Sequence, residues 1–213
     1  MEIMLKGMMS ITMTLIAASL LAFNGMVKQE VKNYNGSGTT LEYTWYFNEK
    51  GCRVDIDING QDGPVKTVFL ANASVSSIKM YTVDQKSAEK HVFDIEPVKA
   101  PAEVQLLSVR ATGEKKTIAG YACEKYEIVT NTAKIETWIT QAIAVDWSNY
   151  QNLFRSSPEI LMMAREGIRG FALESTATNN QNTTTLVKAT TATQAASLFD
   201  VPADYKPFYT NNK

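Results

Sequence analysis

Histidine is nearly missing from this chain. His91 is the only one in 213 residues, which excludes a metal site built on two imidazoles and argues against a catalytic triad. Charge of either sign is not in excess, with 21 basic residues scattered among 22 acidic ones. That balance leaves no clustered Lys and Arg to follow a phosphate backbone, so nucleic acid is not an expected partner. Cysteine is limited to Cys52 and Cys123. The sequence holds no G-x-S-x-G, no P-loop and no EF-hand loop. It also lacks the roughly 20 consecutive apolar residues that a spanning helix requires. The longest uncharged run, Met8 to Phe23, is shorter, follows Lys6 and gives way to small and polar residues. That order fits a cleaved secretory signal over about residues 1–25, with the mature chain starting between Gly25 and Gln29. No Cys follows the run, so lipoprotein acylation is not expected. The expectation is a periplasmic or secreted protein without a retained transmembrane helix, residues 26–213 forming a single domain.

Strand patterns fill most of that domain. LEYTWYF places Leu41, Tyr43, Trp45 and Phe47 on one face, and CRVDIDI places Cys52, Val54, Ile56 and Ile58 on another. Separated by the turn Asn48–Gly51, the two segments read as a hairpin. NGQDG (residues 59–63) reads as a turn, followed by strands at VKTVFL, IKMYTV and HVFDI. Pro97 to Pro101 is a break. VQLLSVR is open between strand and buried helix, since short apolar runs do not resolve by period. YEIVT and KIETWIT form a further hairpin across Asn131–Ala133. One helix is well signalled: Ser157 as N-cap, Pro158 at the first position, Glu159 in the first turn and Gly167 as the stop. Its apolar stripe is Ile160, Leu161, Met163 and Ala164. FALESTAT and TTLVKAT, around NNQN, close the list of strands, the Thr-rich tract reading as β propensity. Many antiparallel strands with one late helix suggest an α+β fold, a curved sheet covered by a helix.

GEKKTIAGYACEKYEI (residues 113–128), ETWIT (136–140) and the ending SLFDVPADYK (197–206) together resemble the bacterial family DUF4412, a domain of unknown function. EKGCRVDIDI also resembles strands of the wider lipoprotein-carrier group typified by LolA and LolB. That resemblance implies an unclosed β-barrel whose concave face is lidded by helix, often around an apolar cavity. It implies no established activity, since a fold does not fix a function.

The two cysteines could close a loop of roughly 70 residues, contributing about 4 kcal/mol in the chain-entropy account. Cys52 shares parity with Val54 and Ile56, whereas Cys123 shares parity with Lys125 and Glu127, so a bridge needs a bulge or twist; a disulfide and two separate thiols both stay open. As a nucleophile Cys123 is poorly placed, since Glu124 and Glu127 counter Lys125. Asp55 and Asp57 share a strand face, and alternating acids on a solvated face are their ordinary explanation. His91 alternates with Phe93 and Ile95 and reads as a sheet-rim residue. No catalytic residue, metal or cofactor is expected, and the chain does not read as an enzyme. Its aromatic and Met residues suggest instead a pocket for a lipid or other acyl-chain ligand, lined by Tyr43, Trp45, Phe47, Val54, Ile56, Leu161, Met162 and Met163. The alternative is an envelope interaction or structural module with a filled core, meeting a protein partner through Trp147, Tyr150, Phe154 or the tail YKPFYTNNK.

Overall fold

A computed structural model describes residues 23–34, 39–60, 63–72, 78–83, 89–95, 104–150, 154, 157–177, 183–191 and 194–207. The apolar run before Phe23, the Pro97–Pro101 break, the tip of the Asn59–Gly63 turn, the NNQN turn and the tail after Pro207 lie outside the described residues.

Alternation dictates the architecture. The strands are β1 (Gly25–Tyr34), β2 (Thr39–Asn48), β3 (Gly51–Gly60), β4 (Gly63–Asn72), β5 (Ile78–Val83) and β6 (Lys90–Ile95), then β7 (Leu106–Ile118), β8 (Tyr121–Thr130), β9 (Lys134–Thr140), β10 (Phe171–Ala177), β11 (Thr183–Thr191) and β12 (Lys206–Pro207). They form one twelve-stranded sheet in the order β12-β6-β5-β4-β3-β2-β1-β11-β10-β9-β8-β7. Every pairing is antiparallel except the two-residue β12 against β6. The sheet is curved, and its end strands β7 and β12 do not pair among the described residues. Among the described residues one α-helix, α1 (Pro158–Glu166), and two short 3-10 turns, Trp147–Asn149 and Ala196–Phe199, complete a fold that is mostly β rather than an even α+β mixture.

Two elements are decided only by the structure. VQLLSVR opens the long strand β7, because its partners are supplied by β8. Residues 25–34 form β1, a central strand between β2 and β11, although VKQEVKNY shows little apolar periodicity. The reason is Gln29, which is buried among Val27 and Val31. Its side-chain amide donates to the Ala172 carbonyl at 2.7 Å and its oxygen accepts from the Trp45 indole at 3.0 Å. A buried amide with its bonds made can stand in an apolar row.

The helix forms where its caps say. Ser157 Oγ accepts the Ile160 N–H at 3.4 Å, Pro158 occupies the first turn, and Gly167 at φ 65° ends the helix in the left-handed region. Ile160, Met162 and Met163 are its buried residues, with Leu161 half-buried, so Met162 rather than Leu161 completes the stripe. The β7–β8 hairpin turns at Ala119 and Gly120, both at positive φ, the geometry that right-twisted strands favour in a two-residue loop.

The two faces are packed differently. On the inner face, which carries α1, lies the main core, including Val27, Phe47, Val54, Ile128, Trp147, Met162 and Leu173. On the outer face of β3–β6 a second, smaller core of Val68, Leu70 and Tyr81 is covered by Val201 and Tyr205 from the C-terminal segment.

Candidate functional site

The strand residues of the sequence-predicted pocket share the inner face. Tyr43, Trp45 and Phe47 follow one another along β2, with Trp45 and Phe47 stacked at 6.3 Å and nearly parallel. Register continues that face across the sheet as one ladder, Trp45–Val54–Phe69–Met80–Phe93, from β2 to β6. Val54 is buried, whereas Trp45, Phe69, Met80 and Phe93 are half-buried, as are the flanking Tyr43 and Ile56. Phe47, Met162 and Met163 are buried outright.

At the Trp45 end the space is filled. The Trp45 ring meets Trp147 at 5.8 Å, Phe154 at 5.4 Å and Phe171 at 5.8 Å. Trp147, only 2% exposed, donates its indole N–H to the Gly170 carbonyl at 2.7 Å. Trp147 and Tyr150 are therefore core residues and not exposed anchors, and Phe154 is half-buried against them. Helix α1 packs chiefly on the Trp147–Asn149 turn, β7 and β8. Leu161, Met162 and Met163 thus stand toward the β7–β8 end, away from the Phe69–Met80–Phe93 part of the ladder.

A cleft of about 390 Å³ opens where the β7–β8 hairpin meets the residues just after α1, with Tyr126, Ile139 and Ile168 among its apolar walls.

The cysteines are free. Cys52 lies on the inner face of β3, while Cys123 stands opposite Lys116 on β8, with β2, β1, β11, β10 and β9 between the two strands. In the structure they therefore stand as two separate thiols on strands that do not pair. Both thiols are buried, and burial raises both above the ordinary thiol range; at Cys123 the Ile118 backbone bond and the Lys116 charge oppose the shift without cancelling it. Burial thus works against thiolate formation at both. Ellman's reagent should react slowly with the native protein and should count two thiols per chain in urea; finding none after unfolding would establish a disulfide instead.

Asp55 corrects the sequence reading. It is 3% exposed, not solvated, and holds Arg53 through two bonds of 2.5 and 2.9 Å and Lys66 at 3.0 Å. Burial works against the charge on Arg53, but the hydrogen bonds and charge of Asp55 outweigh it, so the guanidinium is held above its ordinary value. The Lys66 ammonium is raised for the same reasons. Tyr81, beside them, is pushed by burial up to about 12. Asp57, its sequence neighbour on that face, is only half-buried. His91 is half-buried on β6, 3.3 Å from Glu89. Among the described residues no cluster of three or more His, Cys, Asp or Glu is placed to hold a metal.

A family model described as a domain of unknown function, DUF4412, matches residues 23–205. The chain belongs to that family. No curated protein matches it. Among solved structures it is similar to PNGF-II at 12% identity and a TM-score of 0.46, over 88% of this chain and 32% of that one. It is similar to MucB at 13% identity and a TM-score of 0.43, over 85% of this chain and 58% of that one. The chain thus spans about a third of PNGF-II and under two thirds of MucB.

The segments that mark the DUF4412 resemblance have distinct places in the fold. Thr117 to Cys123 form the β7–β8 turn at the cleft. Ser197 to Lys206 cross the outer face: Leu198 offers its carbonyl to Arg53 at 2.8 Å, Asp200 pairs with Lys50, Asp204 pairs with Lys90, and Tyr205 packs on Tyr81 at 4.7 Å. Tyr205 therefore seals the second core. No sequence signal announced that role, because the sealed strands lie more than a hundred residues earlier.

Proposed function

We propose that this DUF4412 protein is exported and binds a lipid or other apolar ligand on the inner face of its sheet, as a half-barrel of the lipoprotein-carrier type and not as an enzyme. The observation that carries the reading is the ladder Phe69–Met80–Phe93, an apolar row half-buried on the inner face while the opposite face of the same strands has its own sealed core. Concave apolar surface with pliable Met and aromatic side chains suits an acyl chain. Export processing on this reading falls ahead of Phe23, earlier than the Gly25–Gln29 start the sequence suggests, which is consistent with a central β1 and with Phe23 donating its N–H to the Ala144 carbonyl at 2.9 Å and packing its ring on Phe47.

Delipidated protein should take up a fluorescent fatty-acyl probe at micromolar concentration, and Phe69→Glu should weaken uptake about tenfold or more by setting a charge into the row. A wild-type protein that takes up no probe sinks the proposal. The second reading, an interaction module with a filled core, is favoured by the packing of Trp45, Trp147, Phe154 and Phe171. On that reading the acyl probe finds no saturable site.

A further inference from the structure

The cleft at the β7–β8 hairpin has a built-in asymmetry that the acyl-chain reading does not use. Its walls include Ile139, Tyr126 and Ile168, and its rim includes Lys115, Thr117, Glu124 and Gln141. Register fixes which way the hairpin groups face: Lys115 stands directly opposite Glu124, and Thr117 opposite Ala122. Glu124 in turn stands opposite Ile139. The side chains of Lys115, Thr117 and Gln141 have no hydrogen bond or ion pair with any described residue, although the neighbouring Lys116 is bonded to Glu174 at 2.6 Å and Lys125 to Glu136 at 3.1 Å. Glu124 is approached by the Tyr126 hydroxyl at 3.4 Å. Among the described residues an exposed ammonium, hydroxyl and amide without protein partners thus rim an apolar floor, and Glu124, the acid that lines the cleft, is already in contact with a donor.

We propose that this cleft is a second ligand site, which takes a small monocarboxylate with an apolar body. The carboxylate would sit between Lys115, Thr117 and Gln141, and the apolar body against Ile139, Ile168 and the Tyr126 ring. An unpaired ammonium is the donor with most to gain from such a ligand, since charge-assisted hydrogen bonds are about twice as strong as neutral ones. A volume of about 390 Å³ falls within the range of small-molecule sites. Glu124 opposes the ligand's charge, and this gives the site a signature that apolar adsorption lacks: neutralising Lys115 and neutralising Glu124 should act in opposite directions.

The test is titration calorimetry of the intact mature protein with octanoate, and with 1-octanol as the uncharged analogue. Octanoate should bind with a dissociation constant of roughly 0.1–1 mM, as about ten heavy atoms at ordinary ligand efficiency allow. Lys115→Gln should weaken it about tenfold. Glu124→Gln should tighten it roughly two- to fourfold by removing a like charge. Ile168→Trp, which fills the cleft, should abolish binding, and octanol should bind less well than octanoate. Measured in a Phe69→Glu background, which removes the acyl-chain row, the opposite effects of Lys115→Gln and Glu124→Gln on octanoate affinity should persist, so this site and the acyl-chain reading fail separately. No octanoate binding, equal binding of octanol, or identical affinity in Lys115→Gln and Glu124→Gln would overturn the site.

Discussion

Trp147→Ala is expected to destabilise the protein by about 3–5 kcal/mol, the cost of deleting a large buried aromatic without full collapse of its cavity. The side chain sits where the inner face, the helix and the segment between β9 and α1 meet. Its ring contacts Trp45, Phe47, Tyr150, Phe154 and Phe171 at centroid distances of 5.8–6.2 Å. Truncation also leaves the Gly170 carbonyl without the indole donor. That loss of roughly a third of the stability of an ordinary domain should lower the melting temperature by on the order of 10 °C. Trp147→Phe should cost less, since a ring remains but the hydrogen bond does not. Leu107→Ala, on a side chain 63% exposed on β7, should stay within about 0.5 kcal/mol. Urea unfolding with matched slopes separates these outcomes. A Trp147→Ala variant as stable as the parent would mean that the ring is not a core residue and would return it to the role of a surface anchor.

Why the sequence misplaces Trp147 is instructive about what alternation can carry. Along β2, β3 and β5 each residue's face follows from its neighbours two positions away, so LEYTWYF, CRVDIDI and IKMYTV are legible without any knowledge of the rest of the chain. The helix is legible for a different reason: Ser157, Pro158 and Gly167 are local devices that act on their own backbone. The segment Gln141–Tyr150 has neither signal. Its burial is decided by Phe171, Trp45 and the Gly170 carbonyl, all distant in sequence. Strand β1 hides for a related reason, since the polar Gln29 interrupts its apolar row and only the Ala172 carbonyl and the Trp45 indole make that residue compatible with the core. The ladder is half legible: Trp45 and Val54 are both candidate pocket residues in the sequence, but Phe69, Met80 and Phe93 join them only through pairings that sequence does not print. The cleft was not legible at all. Lys115, Gln141 and Ile168 come from β7, the residue after β9 and the loop after α1, and what distinguishes Lys115 from its neighbours is a missing partner among the described residues.

Asp55 raises the same problem on the other face, and there the second large effect is expected. Alternation correctly sets Asp55 and Asp57 on one side of β3, but it cannot say that Leu198 to Tyr205 will lie over the first of them. Once covered, the Asp55 carboxylate is the counter-charge for Arg53 and Lys66, and Arg53 is the donor that fixes the covering segment through the Leu198 carbonyl. Asp55→Ala therefore leaves a mostly buried guanidinium unpaired and should cost about 3–5 kcal/mol. Asp57→Ala should cost under about 0.5 kcal/mol. The pair itself need not add stability, because two desolvated ions repay little more than their own desolvation; Arg53→Met with Asp55→Leu should recover most of the loss. The covering segment supplies the discriminating readout. In Asp55→Ala the freed Arg53 no longer holds Leu198 in place, so chymotrypsin should cut at Phe199 or Tyr205 well before the rest of the domain, while the double variant separates two roles. If the double variant is stable yet still cut early, Arg53 is the latch of the C-terminal segment; if it is both stable and resistant, the apolar contacts of Val201 and Tyr205 with Val68, Leu70 and Tyr81 hold the segment on their own. An Asp55→Ala variant with parental stability and parental resistance would mean that the carboxylate is solvated after all.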